Sequence, residues 1–356
     1  MKILLIRLRL IGDVVFTTPI IRALKRALPD AQITYLVERG SAAVVQGNPH
    51  LHEVIVIPRS RGLSRIAEDV RLALSLRRRR FDIVIDMHGG PRSGWLTLAT
   101  GAPQRIGYAI PGRSWMYTHR VPRPRQLRAR HSVVNQWDLL QAIDGWSGAS
   151  ADPARDAVEM APEPGAERRV ADRLAACGVG PGHELIVVHV SAGNPFRRWP
   201  EDAFVRLVAG LAAAPARRLV LSSGPSDRAA AQRIARQARE ILGHGAARVL
   251  DYGDFDLAEL RALVTRSRLF IGGDTGPLHI AATTATPVVG VFGPTLPERS
   301  APWRDPAYAT ASVGIEGLPC RPCDQRTCAP GDFRCLTTLR PDDVLAAAER
   351  LLQRTA

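Results

Sequence analysis

Along the chain, hydrophobic residues come in short unbroken runs separated by longer amphipathic stretches. "KILLIRL" (2–8), "QITYLVE" (32–38), "EVIVIP" (53–58), "FDIVIDMHG" (81–89) and "QRIGYAI" (104–110) have strand length and are bounded by turn residues. Runs of this kind are expected of strands buried on both faces of a parallel sheet. Between them the spacing changes to the helical period. Ile20, Ile21, Leu24 and Leu28 form one stripe in "TTPIIRALKRALP", and 63–80 and 91–100 read as further helices. Strands alternating with helices predict an α/β domain with a doubly wound parallel sheet.

From about 145 to 165 the pattern dissolves into "GWSGASADPARDAVEMAPEPGAE", whose Gly, Ala, Ser and Pro suit an inter-domain linker. The alternation then restarts. Segments 184–190, 217–224, 247–253, 268–274 and 287–293 are strand-like, and 200–214, 226–242, 257–267 and 276–285 are helix-like. Two Rossmann-like domains are predicted, over 1–160 and 161–340, facing a central cleft. "RPDDVLAAAERLLQR" reads as a closing helix within 341–356 that packs back on the first domain. Ligands of such sheets sit beyond the carboxyl ends of the strands, so the turns after 8, 190, 224 and 274 should face the cleft.

Length and composition agree with two globular domains: 356 residues, 46% hydrophobic, with no run near the roughly 18 apolar residues of a membrane span. The opening "MKILLIRLRLIGD" reads as a first strand rather than a signal peptide, which places the protein in the cytoplasm. Charge adds an asymmetry. Residues 1–160 hold 24 Lys and Arg against 13 Asp and Glu, whereas residues 161–356 hold 24 against 21. An anionic partner for the first half follows. Zinc-finger, RNP-like and heptad patterns are all missing, which disfavours nucleic acid as that partner.

The turns carry the candidate chemistry. After strand 268–274, Asp274-Thr275-Gly276-Pro277 opens a helix that holds His279 in its first turn. Asp274 or Thr275 suits an N-cap, Pro277 a first-turn position, and Gly276 the close approach of a phosphate to free amides. An ordinary cap with a locally packed histidine reads equally well. After strand 184–190, the small polar turn through Ser191 and Gly193 delivers Arg197 and Arg198 to a helix start. There they oppose the helix dipole unless a diphosphate faces them. In "SSGPSDR", Asp227 either caps the next helix or accepts from ribose hydroxyls. In the first half Asp13 follows Gly12 at the end of the first strand, as an N-cap or as a general base for an attacking hydroxyl. His88, Arg92, Arg61, Arg105, Arg113 and Arg120 together suit a phosphorylated or carboxylated acceptor. Neither GxGxxG nor GxxxxGK[ST] occurs at these turns, which weakens dehydrogenase and NTPase readings.

At these residues the chain resembles the glycosyltransferase family 9 heptosyltransferases of lipopolysaccharide inner-core assembly. The matching stretches are "RLRLIGDVVFTTPIIRALKRALPDAQITYLV", "DMHGGPRSGWL", "GAPQRIGY", "NPFRRWPEDAF" and "GGDTGPLHIAATTATPVVGVFGPTLPERSAPW". The resemblance implies a GT-B fold and inverting transfer of a heptose from ADP-heptose to an anionic, lipid-linked core oligosaccharide at the inner face of the inner membrane. Asp13 then takes the place of the base, and Asp274, Thr275, Gly276 and His279 match the donor-phosphate motif. Arg197 stands where many members have Lys, exchanging a point charge for a fork. No cofactor is implied as required, and Mg²⁺ is left open. Cys320, Cys323, Cys328 and Cys335, four thiols in 16 residues, could hold a structural zinc. Other readings stay open: another nucleotide-sugar or acceptor, a nucleotide-sugar epimerase, or a non-catalytic basic protein that binds lipid or nucleic acid.

Overall fold

The computed structural model describes residues 1–58, 62–122, 130–323 and 325–354. The chain divides into two compact units, Met1–Ala161 and Pro162–Ala356.

In the first unit the apolar runs form β1 (Lys2–Ile6), β2 (Gln32–Glu38), β3 (Glu53–Ile57), β4 (Ile83–Asp86) and β5 (Gln104–Tyr108). Joined by the short β6 (His119–Val121), they make a parallel six-stranded sheet of order β3-β2-β1-β4-β5-β6. Parallel strands need crossovers, and α1 (Ile11–Val15) with α2 (Thr18–Ala27), α3 (Gly62–Arg78) and α4 (Pro91–Ala99) supply them, with α5 (Ser132–Trp137) following β6. Ile3, Leu4, Leu5 and Ile6 have no exposed surface, as a central strand covered on both faces requires. Burying each such side chain stabilises the fold by about 1.5–3 kcal/mol.

The stretch read as a linker is instead strapped to the first unit. Arg22 and Arg26 of α2 pair with Glu159 and Asp156, and the Thr18 hydroxyl accepts the Glu159 N–H at 2.9 Å. Asp156 is fully buried, with Val158 and Met160 buried beside it. Composition suggested a free connection because the charged anchors that fix the segment lie about 130 residues earlier.

The second unit opens with α6 (Pro164–Ala176) and continues with β7 (Glu184–His189), α7 (Glu201–Ala212), β8 (Arg217–Ser222), α8 (Arg228–Leu242) and α9 (Leu257–Thr265). Then come β9 (Leu269–Gly273), α10 (Gly276–Ala281), β10 (Val288–Phe292), α11 (Pro297–Ser300), β11 (Thr310–Gly314), α12 (Arg334–Thr337) and α13 (Pro341–Arg354). Its five strands are parallel, in the order β11-β10-β9-β7-β8. Segment 247–253 does not form a strand, and only Val249 bridges to Leu219.

The closing helix packs within the second unit. Val344, Ala347, Ala348, Leu351 and Leu352 of α13 enter the apolar core of the second unit, beside Leu207, Val208 and Leu211 of α7 and Ile271 of β9. The buried Trp199 indole fixes the approach by donating to the Leu339 carbonyl at 3.1 Å.

Candidate functional site

Each sheet reverses its strand order at one place, and ligands of open α/β sheets gather there, outside the carboxyl ends of the strands. In the first unit the reversal falls between β1 and β4. Arg7 leaves β1 there, and Asp13 follows as the third residue of α1. The cap position belongs to Leu10, whose N–H donates back to Asp13 Oδ2 at 3.4 Å. The same oxygen pairs with the Arg7 guanidinium, whose other arm donates to the Met87 carbonyl after β4. Asp13 keeps 37% of its side-chain surface exposed, so it is oriented while remaining open to an approaching group.

At the end of β4, Asp86 is completely buried, and burial pushes its carboxyl above the usual range despite bonds that favour the charge. It accepts the His88 and Gly89 N–H groups at 2.9 Å and the Tyr117 hydroxyl at 2.7 Å. Asp86 therefore shapes the turn that presents His88. The apolar run before it carried a sequence signal, yet no role was predicted for it. A Cβ on Gly107 would stand 2.5 Å from the Tyr117 ring, so glycine is required for that hydroxyl to reach Asp86. A Cβ on Gly90 would likewise stand 2.8 Å from the His88 ring. Burial, reinforced by the charges of Arg7 and Arg9, lowers the His88 pKa to about 4, so a neutral imidazole stands near Asp13 at pH 7.

The predicted acceptor arginines do not act as one bed. Arg92 is engaged by two carboxylates, with Nη2 at 2.6 Å from Asp69 and Nη1 at 3.3 Å from Glu38. Arg105 donates to the carbonyls of Ala102 and Met116 at 2.6 and 3.1 Å. Both guanidiniums already serve the fold. Arg113 is partly exposed and Arg120 exposed, whereas Arg61 lies outside the described residues.

In the second unit the order reverses between β7 and β9, which brings together the two turns singled out above. Asp274, only 3% exposed, is their common anchor. It accepts the Thr295 hydroxyl at 2.6 Å, lies 3.3 Å from His279 Nε2 and 3.2 Å from Arg197 Nη1. Arg197 Nη1 also donates to the Asp274 carbonyl at 2.7 Å, and Nε to Gln325 Oε1 at 2.8 Å. Burial alone would raise the Asp274 pKa, but hydrogen bonding and charge from His279, then Arg197 and Thr295, hold it near 2. Asp274 is thus neither the cap nor a surface contact. Thr275 takes the cap position without a side-chain cap bond, Gly276 and Pro277 open α10, and His279 turns inward, 3% exposed.

Asp227 is similarly committed. It accepts from Ser191 at 2.5 Å and pairs with Arg198 at 3.0 Å, so it fixes the turn after β7 rather than standing free for a ribose. Gly193 has open space where a Cβ would point. What stays accessible is the half-exposed Arg197 beside the turn of the small residues Thr275 and Gly276, with the half-exposed Arg198 on the turn after β7, an arrangement suited to an anion. Gln325, which also accepts from Asn194 at 2.9 Å, carried no sequence signal.

The four clustered cysteines line one pocket with Phe196 and Phe333, and all are unpaired. Among the described residues no three His, Cys, Asp or Glu side chains are placed to hold a metal ion, so these thiols as arranged do not form a zinc site.

Comparison with known proteins places this architecture. The pattern described as "Glycosyltransferase family 9 (heptosyltransferase)" matches residues 70–332. The chain is 27% identical to lipopolysaccharide heptosyltransferase 3 of Escherichia coli K12, over 97% of this chain and 96% of that one. Among solved structures, a family 9 glycosyl transferase of Veillonella parvula superposes with a TM-score of 0.82 at 21% identity, covering 99% and 97% of the two chains. The E. coli ADP-heptose lipopolysaccharide heptosyltransferase II gives 0.78 at 21% identity, over 100% of both. The fold is therefore of the GT-B class, built from two Rossmann-like units.

Proposed function

Because the chain belongs to glycosyltransferase family 9, the heptosyltransferase family, and so is a glycosyltransferase, we propose that it moves a heptose from ADP-heptose to the inner core of lipopolysaccharide with inversion. The observation that carries this reading is the Asp13 carboxylate, half-exposed and held by Arg7 at the strand-order reversal of the first unit. The names of its relatives supply the sugar, the nucleotide and the acceptor.

In this reading the second unit takes the donor. The diphosphate lies on the amides of Thr275 and Gly276, with Arg197 and Arg198 beside it. The basic first unit takes the phosphorylated core, with His88, Arg113 and Arg120 as its contacts. Asp13 accepts the proton of the acceptor hydroxyl as that oxygen bonds to the sugar C1. The bond from C1 to the phosphate oxygen breaks on the opposite face, and ADP departs with the electron pair. A carboxylate is a weak base, so much of the acceleration comes from positioning and from charge stabilisation of the departing diphosphate. The acceptor is lipid-linked, so the enzyme works as a peripheral protein at the cytoplasmic face of the inner membrane. Among the described residues no helix is long and apolar enough to cross a membrane.

The test is release of ADP from ADP-heptose with and without a core-oligosaccharide acceptor, with NMR of the new glycosidic bond. ADP release only with acceptor, and an inverted anomeric centre, are expected. Donor consumed without acceptor would replace transfer by hydrolysis or epimerisation.

A further inference from the structure

Helix α3 is packed on one side only. Ala73 and Leu76 enter the first unit's core, and the buried Asp69 on the same side holds Arg92. The adjoining side presents Ile66, Val70 and Leu74, which are 59%, 45% and 51% exposed. Single exposed aliphatics are ordinary on protein surfaces. Three at successive four-residue steps drift only about 40° per step around a helix, so they form one continuous apolar strip.

The flanks of the strip are basic. Arg77 lies seven residues after Val70, on the line of the strip, and Arg71 and Arg78 run beside it; all three are exposed. The acidic residues of the helix lie elsewhere, Asp69 on the buried side and Glu68 half-buried behind the strip. An apolar strip bordered by arginines, on a unit with a large positive excess, matches a surface with a negative face and an apolar interior. A two-fold pairing of identical strips would instead bring like-charged arginines together.

We propose that the exposed face of α3 is the surface by which this protein lies on an anionic lipid bilayer, with Ile66, Val70 and Leu74 entering the headgroup boundary and Arg71, Arg77 and Arg78 contacting anionic headgroups. This gives the peripheral membrane contact of the proposed function a specific surface, and rests on that part of the reading.

The experiment is flotation of the full chain, without substrates, on phosphatidylcholine vesicles with and without phosphatidylglycerol. The wild type is expected on the anionic vesicles and to be released by salt. The variants Ile66→Ser/Val70→Ser/Leu74→Ser and Arg71→Gln/Arg77→Gln/Arg78→Gln should each bind about 100-fold more weakly. Both should retain the wild-type far-ultraviolet spectrum and the rate of transfer to a lipid-free acceptor. Equal binding to neutral vesicles, unchanged binding by either variant, or a concentration-dependent dimer abolished by the serine variant would overturn the proposal. Failure of the wild type to bind anionic vesicles, with its transfer activity intact, removes this surface alone, whereas vesicle binding by the wild type without any transfer activity removes the catalytic reading and leaves the surface standing.

Discussion

Arg7 and Asp13 are joined by an ion pair across the turn that leads from β1 into α1. The same guanidinium donates to the Met87 carbonyl, so one side chain ties the candidate base to the neighbouring strand's turn. An unpaired carboxylate in the first turn of a five-residue helix would sample several rotamers. Arg7 narrows that choice.

Two substitutions separate the base from its holder. Asp13→Asn removes the proton acceptor and should lower kcat by about 10²–10⁴ while leaving donor affinity unchanged. Arg7→Met keeps the acceptor but frees its orientation, and should lower kcat by about 10². Arg7→Lys should recover part of that loss. Steady-state kinetics with both substrates decides it: full activity in Asp13→Asn removes the base assignment, and a change confined to KM in Arg7→Met removes the positioning role.

Asp274 offers a pH-resolved test of the donor turn. Its folded pKa near 2 lies below the ordinary 3.8, so the unfolded chain takes up its proton first on acidification. The contribution to stability is present above about pH 4, declines as pH falls, and is gone below about pH 2, with a size of about 2 kcal/mol. Asp274→Asn should lack this decline. At neutral pH it should already be less stable by about 3 kcal/mol, because Arg197 and His279 lose their buried partner. Urea unfolding of both proteins across that range measures the difference, and parallel pH curves would contradict the network described here.

Arg92 distinguishes a structural arginine from a ligand-binding one. Removing it leaves Glu38, 11% exposed, without its Arg92 partner, and Asp69, 13% exposed, with only the long contact to Arg65 at 3.8 Å. Arg92→Met should cost about 3 kcal/mol of stability, with the acceptor KM changed less than about twofold. Weaker acceptor binding at unchanged stability would return Arg92 to the acceptor site.

The turns were legible because their logic is local. An apolar run long enough for a parallel strand, followed by small polar residues, marks the end of the sheet where ligands bind, and this located Asp13, His88, Ser191 and Asp274. What each turn holds depends on distant partners. Arg92 meets Asp69 and Glu38 across 23 and 54 positions, and Arg197 meets Gln325 across 128. No periodicity encodes such pairs, so arginines committed to the fold resembled free ones. Edge strands were missed for another reason. "HRV" in β6 and "TASVG" in β11 are short and incompletely buried, and neither shows the apolar run that burial on both faces imposes.

His189 extends the pH argument to a separate window. It ends β7, fully enclosed, with Nδ1 at 2.8 Å from the Ser222 hydroxyl, and Asp227 lies near enough to influence it. Burial lowers its pKa to about 4 from 6.5, outweighing the opposing pull of Asp227 and the Ser191 backbone. The unfolded chain therefore binds this proton first, and stability that is complete above about pH 6.5 should fall by about 3 kcal/mol as pH drops to about 4. His88, shifted the same way in the first unit, adds to the loss, so the informative quantity is the difference between wild type and His189→Gln. Glutamine cannot charge, and the variant should lose less stability over this interval. In the folded protein His189 stays neutral down to about pH 4, so the turn in which Asp227 fixes Ser191 and Arg198 should keep its donor affinity across this interval and lose it only near the lower end. Identical wild-type and variant curves between pH 6.5 and 4 would mean that His189 titrates with water access, and that the end of β7 is open rather than sealed.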